Sequence, residues 1–130
     1  MTAGLKAGHV SDTWPLMFGK LIPPNLFNSW INFFETPQTI VFIHRWFAFA
    51  VLIAVTALYF TARKWNKSVE IQNGLNWLLG LVIVQIVLGI LTIILHVQIA
   101  VALAHQTGAL SLFALMIYFL HCLRAVDSAQ

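Results

Sequence analysis

Two histidines stand out because each lies inside a long apolar stretch of the chain. His44 is six residues into the first stretch, and His105 is four residues into the third. An ionisable side chain at such a depth in a bilayer is costly unless it faces a partner, so each histidine indicates a functional site. Because the first and third of three successive spans start on the same side, both imidazoles should lie about 6–9 Å below that boundary.

Two inward-facing imidazoles at one depth can ligate a single haem iron from both faces. A bare transition-metal site would need three or more ligands close together. Small residues follow the histidines on the same helix faces, at Ala48, Gly108 and Ala109, and would leave room for a flat macrocycle. The alternative interpretation is a pair of unrelated core histidines, each satisfied by its own hydrogen bonds.

The remaining polar residues are less suited to holding a metal. His9 lies in the polar N-terminal region, and His121 is about 24 Å along the helix from His105. Arg45 points about 100° away from His44 and either reaches the membrane interface or meets a propionate. One face of the second stretch carries small and polar residues that serve either the site or ordinary helix packing: Gln85, Gly89, Thr92 and, near the outer rim, His96.

The composition identifies the elements that must position these residues. The chain has 130 residues, of which 60% are hydrophobic and 8% charged, whereas a soluble domain carries about 25% charge. The sequence therefore predicts an integral membrane protein, with nucleic acid excluded as a partner and membrane lipid expected as one. Three apolar runs predict an all-α helical bundle with transmembrane spans over 38–62, 75–97 and 101–123.

Charge and proline placement predict the orientation and the division of the chain. Basic residues follow the first span and close the third, at Arg63, Lys64, Lys67 and Arg124. The positive-inside rule therefore places the C-terminus in the cytoplasm. The four prolines all precede the first span, which predicts an extracytoplasmic interfacial segment over 1–37, a three-helix bundle over 38–124 and a cytoplasmic tail over 125–130. Aromatic and methionine side chains suit that segment to an interfacial lid: Trp14, Met17, Phe18, Trp30, Phe33 and Phe34.

Six short motifs, in order along the chain, resemble the C-terminal half of haem A synthase. They are Gly4-Leu-Lys-Ala-Gly8, Asp12-Thr-Trp-Pro-Leu-Met17, Asn32-Phe-Phe-Glu-Thr36, Val41-Phe-Ile-His-Arg45, Gln85-Ile-Val-Leu-Gly-Ile-Leu-Thr92 and His105-Gln106. The resemblance runs from Gly4 to about Leu120. Each motif is weak alone, but together and at this spacing they are specific.

The resemblance implies a fold, a cofactor and a place in a larger enzyme. Members of that family consist of two similar four-helix halves. The second half holds haem b through the histidines that match His44 and His105. The first half binds haem o, whose methyl group is oxidised to the formyl group of haem A for cytochrome oxidase. The resemblance also implies the bacterial inner membrane, with the N-terminal segment in the periplasm.

The sequence also departs from the family pattern. The first half and the helix before Gly4 have no counterpart, so we expect an incomplete four-helix half-bundle that is a piece of a longer product or assembles with an N-terminal half or another chain. Lys6 and Thr36 replace an aspartate and an asparagine of the family. The family's substrate glutamate has no counterpart, so no catalytic residue is predicted and the chain alone is expected to make no haem A. Two alternatives stay open: a non-catalytic b-type electron-transfer module and a structural membrane protein without a cofactor.

Overall fold

The computed structural model describes residues 13–24, 26, 31, 36–65 and 68–127. Three helices follow one another: α1, Pro37–Trp65; α2, Val69–Ile94; and α3, Ile99–Asp127. Each is long and apolar enough to cross a membrane, since about 20 residues span the hydrocarbon of a bilayer. The described ranges contain no strand. The predicted all-α membrane bundle is confirmed, and the chain is a multi-pass membrane protein.

The second helix holds the bundle together. α2 packs against both α1 and α3, whereas no Cα atom of α1 lies within 8 Å of a Cα atom of α3 among the described residues. We call the gap between the backbones of α1 and α3, next to α2, the cleft.

Apolar side chains of α2 form the core in two layers. In the middle of the bundle, Leu78 and Val82 of α2 are buried against Val55 of α1 and against apolar residues of α3. Near the end where α1 and α3 finish, Leu75 is buried with Phe119 and contacts residues of α1 as well. Because both layers join all three helices, the ends of α1 and α3 lie on the same side, as the basic residues predicted.

The start of α2 differs from the predicted span. The Asn73–Gly74 pair was expected to precede the span, but both residues lie inside the helix, which begins at Val69. A Cβ atom at Gly74 would lie 2.7 Å from the ring of Phe119. This glycine is a packing residue that admits an aromatic ring from α3, and not a turn residue. The earlier start also places Glu70, expected in a loop, in the first turn of α2.

The end of α2 also differs from the prediction. The span was expected to reach Val97, but the helix ends at Ile94 and a turn occupies 95–98. His96 and Val97 adopt positive φ angles of 51° and 61°, and the Val97 N–H donates to the Thr92 carbonyl over 2.8 Å. These bonds satisfy carbonyl groups at the helix end. Leu95 and Val97 extend the apolar run into the turn, so hydropathy placed the end of the helix about three residues too late.

The described part of the N-terminal region lies against the first half of α1. Residues Met17 and Lys20 exchange two backbone hydrogen bonds of 2.9 and 3.0 Å, and Met17 is buried against Val41 of α1. The hydroxyl of Thr39 donates to the carbonyl of Leu26 over 3.2 Å. The interfacial location of this segment and the division at residues 37 and 124 stay predictions. Three of its expected lid residues lie outside the described residues: Trp30, Phe33 and Phe34.

Candidate functional site

The cleft between α1 and α3 brings together the two histidines singled out from the sequence. The ring centres of His44 and His105 lie 6.2 Å apart, and the ring planes meet at 86°. His44 is exposed along the cleft, and His105 is half-buried against α2. Since the backbones of α1 and α3 do not approach closely, these imidazoles span the gap between the helices.

The separation of the two rings fits one metal ion between them. An imidazole nitrogen binds a metal at about 2.1 Å, so two imidazoles on opposite sides of one ion have ring centres roughly 6.3 Å apart. Perpendicular ring planes are compatible with this arrangement because each ring can rotate about its bond to the metal. Within the described ranges, no three histidine, cysteine or acidic residues cluster as metal ligands. A donor set of two imidazoles suits a haem iron, whose other ligands come from the macrocycle.

Gly89 of α2 sets the space available to His105. A Cβ atom at position 89 would lie 3.3 Å from Cε1 and 3.7 Å from Nε2 of the His105 ring. Sequence reasoning included Gly89 only in a stripe of small and polar residues. A sharper signal was available, because Gly89 and His105 lie at similar distances from the turn joining α2 to α3, about 8–9 Å along their helices.

Gln85 occupies the next turn of α2, deeper in the bundle. Its side chain is 7% exposed, and both its amide atoms are buried without a hydrogen-bond partner. A Cβ atom at Gly108 would collide with this amide. The expectation that Gly108 leaves room for a macrocycle was therefore wrong, because the Gln85 side chain fills that space. The Nδ1 atom of His105 is buried and has no hydrogen-bond partner.

Arg45 lies beneath the N-terminal segment. Its side chain is 8% exposed, and Nη1 donates to the carbonyl of Thr13 over 3.2 Å. The guanidinium group stands 5.5 Å from the centre of the Trp14 ring, within cation–π range. Nε and Nη2 are buried and have no hydrogen-bond partner.

The other histidines are not brought to this pair. His96 is exposed in the turn between α2 and α3, and His121 is exposed near the opposite end of α3. Thr92, from the same stripe as His96, donates its hydroxyl to the carbonyl of Leu88 in its own helix over 2.7 Å. His9 lies outside the described residues.

Three apolar helices, with a histidine of the first and one of the third close together, define a multi-pass membrane protein. The sequence matches the model of the COX15-CtaA family, described as cytochrome oxidase assembly protein, over residues 1–117. The chain belongs to that family.

Individual relatives carry a more specific name. The chain is similar to heme A synthase of Wolbachia pipientis, with 42% identity over 125 residues, which is 94% of this chain and 34% of the relative. It is 35% identical to heme A synthase of Rhodospirillum centenum over 98% of this chain and 35% of the relative. For heme A synthase of Brucella anthropi the identity is 40%, over 88% of this chain and 33% of the relative. The chain thus spans about a third of the length of the curated relatives it matches. No solved structure matches it.

Proposed function

We propose that this chain is the haem-b-binding, C-terminal half of a haem A synthase, in which His44 and His105 ligate the iron of haem b from opposite faces. The observation that carries the proposal is the 6.2 Å separation of the two rings across the cleft. The relatives named heme A synthase support the choice of haem over another metal group.

The residues around His105 would hold its ring in a ligating orientation. A ligating histidine usually donates its second ring N–H to a nearby carbonyl, which fixes the tautomer. The His105 ring lies against Gly89 of α2, and its Nδ1 is buried without a hydrogen-bond partner. Nδ1 would need a carbonyl group as acceptor and would leave Nε2 for the iron. Gly89 admits the ring to this position.

The complete enzyme would use haem b for one-electron transfer while haem o is oxidised at its methyl group to give haem A for cytochrome oxidase. This chain contributes the ligands and the walls of the haem b site. We assign no catalytic residue to it. Haem o and the partner half, or a second chain, belong to the rest of the assembly.

The proposal is tested by adding haem b to the purified chain in detergent. We expect about one haem per chain by pyridine haemochrome assay and a six-coordinate, low-spin absorption spectrum, because two imidazoles give a strong axial field. A chain that binds no haem, or binds it only in a five-coordinate, high-spin form, would contradict the assignment. In a host that makes haem O, restored haem A upon co-expression with the N-terminal half separates a synthase from a b-type electron-transfer module.

We further propose that the chain lies in the bacterial inner membrane with residues 1–37 in the periplasm. Arg63 and Lys64 in the last turn of α1 and Arg124 in the last turn of α3 lie at one end of the bundle, and the positive-inside rule assigns that end to the cytoplasm. A reporter fused after Arg124 should read as cytoplasmic, and one inserted near residue 25 as periplasmic. The reverse pattern would place the histidine pair at the cytoplasmic end.

A further inference from the structure

A second cavity lies on a different side of α1 from the histidine pair. It has a volume of about 270 Å³ and lies between the N-terminal segment and the outward face of α1. Arg45 is a charged residue in a wall that is otherwise mainly aromatic, formed by Trp14, Phe42, Trp46 and Phe49. Trp14 and Phe49 stack with ring centres 5.8 Å apart.

The charge of Arg45 is not balanced by the described residues. Nη1 has the Thr13 carbonyl and the guanidinium has the Trp14 ring, but both are neutral. Glu70, an acidic residue in the described part of the chain, lies in the first turn of α2, at the opposite end of the bundle. A buried cation without a counter-ion is costly, and an anion bound at this place would offset that cost.

The unpaired atoms of Arg45 form one edge of the guanidinium group. Nε and Nη2 carry N–H groups that point the same way, and this edge matches the two oxygens of a carboxylate or phosphate. The aromatic walls offer an apolar surface for the rest of such a molecule. Both nitrogens are shielded from solvent, so an entering anion has to displace the segment that carries Trp14.

We propose that this cavity binds the anionic group of an amphipathic molecule, with two of its oxygens on the Nε–Nη2 edge of Arg45 and its apolar part against Trp46 and Phe49. Two molecules share this chemistry. A propionate arm of haem is one source, and this source rests on the proposed function. A phospholipid headgroup is the other source, because the cavity lies about 12 Å from the outer end of α1, within headgroup reach. Binding of a lipid would not depend on haem.

The first experiment compares haem b with its dimethyl ester, in which both propionates are neutral. In the unaltered protein, we expect esterification to weaken haem binding about tenfold, because it removes the charged partner of a bidentate contact with Arg45. In Arg45→Met that contact is already absent, so esterification should not weaken binding further. Arg63→Met is the matched control, because Arg63 is an exposed arginine at the other end of α1. The low-spin spectrum reports iron ligation separately. If neither haem is ligated, the proposed function fails while the lipid experiment still tests the cavity.

The second experiment uses nanodiscs of dioleoyl phosphatidylglycerol or dioleoyl phosphatidylcholine. Native mass spectrometry should find a retained phosphatidylglycerol on the unaltered protein and on Arg63→Met, and should find none on Arg45→Met. Dependence on Arg45 in either experiment supports the proposal and identifies the source of the anion. Independence from Arg45 in both experiments overturns it.

Two further sets of variants keep the result interpretable. Arg45→Lys preserves the charge and removes the two-nitrogen edge. Arg45→Lys should weaken several-fold whichever binding, of the haem propionate or of phosphatidylglycerol, depends on Arg45, and it should keep the helicity measured by circular dichroism. It therefore tests the proposal if Arg45→Met does not fold. Asp12→Asn and Glu35→Gln alter acidic residues that lie outside the described ranges. Anion binding that appears only in one of these variants would show that an internal carboxylate neutralises Arg45 in the unaltered protein, and the proposal would be wrong.

Discussion

Replacing His44 or His105 with alanine is expected to abolish low-spin haem binding. Under the proposed function, each substitution would remove one iron ligand from a pair whose rings lie 6.2 Å apart. Loss of an outer-sphere partner alone costs about 10–100-fold in metal affinity, so loss of a ligand should cost at least that much. Alanine is the best helix former, so α1 and α3 should remain intact. The measurement is the reduced α-band and the haem-to-protein ratio after gel filtration.

The controls for this prediction are two histidines outside the pair. His96 is exposed in a turn and His121 is exposed near the other end of α3. His96→Ala and His121→Ala should keep the haem content and the low-spin spectrum of the unaltered chain. Retention of the full spectrum in both His44→Ala and His105→Ala would show that the iron, if bound, uses other ligands.

Gly89→Leu is expected to remove haem binding without touching either ligand. A Cβ atom alone would lie 3.3 Å from the His105 ring, and a leucine adds branched carbons beyond it. The ring therefore has to rotate away from α2, or α3 has to move outward, and either change alters the distance to His44. Overpacking of this kind typically costs about 1–3 kcal/mol. We expect at least a tenfold loss of haem affinity, measured by titration, and a lower thermal midpoint.

Gly80→Leu is the matched control in the same helix. A Cβ atom at Gly80 would meet no atom within 4 Å beyond its chain neighbours and the backbone of its own helix, so leucine there should keep haem binding and add up to about 1 kcal/mol of helix propensity. Gly89→Ala should be intermediate, because the ring needs to give by only a few tenths of an ångström. Equal haem affinity in Gly89→Leu and Gly80→Leu would show that Gly89 does not position His105.

Much of the fold could be predicted because a bilayer imposes a simple requirement on sequence. Each of the three helices shows as an apolar run long enough to span it, and the basic residues Arg63 and Arg124 correctly paired the ends of α1 and α3. The ends of α2 could not be predicted. Gly74 is a residue type common in turns but packs against Phe119, and the apolar residues Leu95 and Val97 extend the hydrophobic run into the turn at His96.

The candidate site, like the fold, could be predicted only in part from the sequence. The approach of His44 and His105 followed from their depth, which is a property of position along two helices. The surroundings of each histidine depend on rotation and tertiary contact, which the sequence does not encode locally. Gly108 faces the Gln85 amide instead of the cleft. Arg45 meets the Thr13 carbonyl from a segment 32 residues earlier, a contact that no helical period predicts.

The arrangement of the helices has a mechanical consequence. Among the described residues, α2 packs closely against both α1 and α3, whereas no Cα atom of α1 lies within 8 Å of one of α3, so a small rotation at either helix interface changes the distance between His44 and His105. A bond from each histidine to one iron would link α1 to α3 directly and would restrict rotation at both helix interfaces. Cofactor binding would then stiffen the frame as well as fill the site, and part of the binding free energy would go into suppressing that motion.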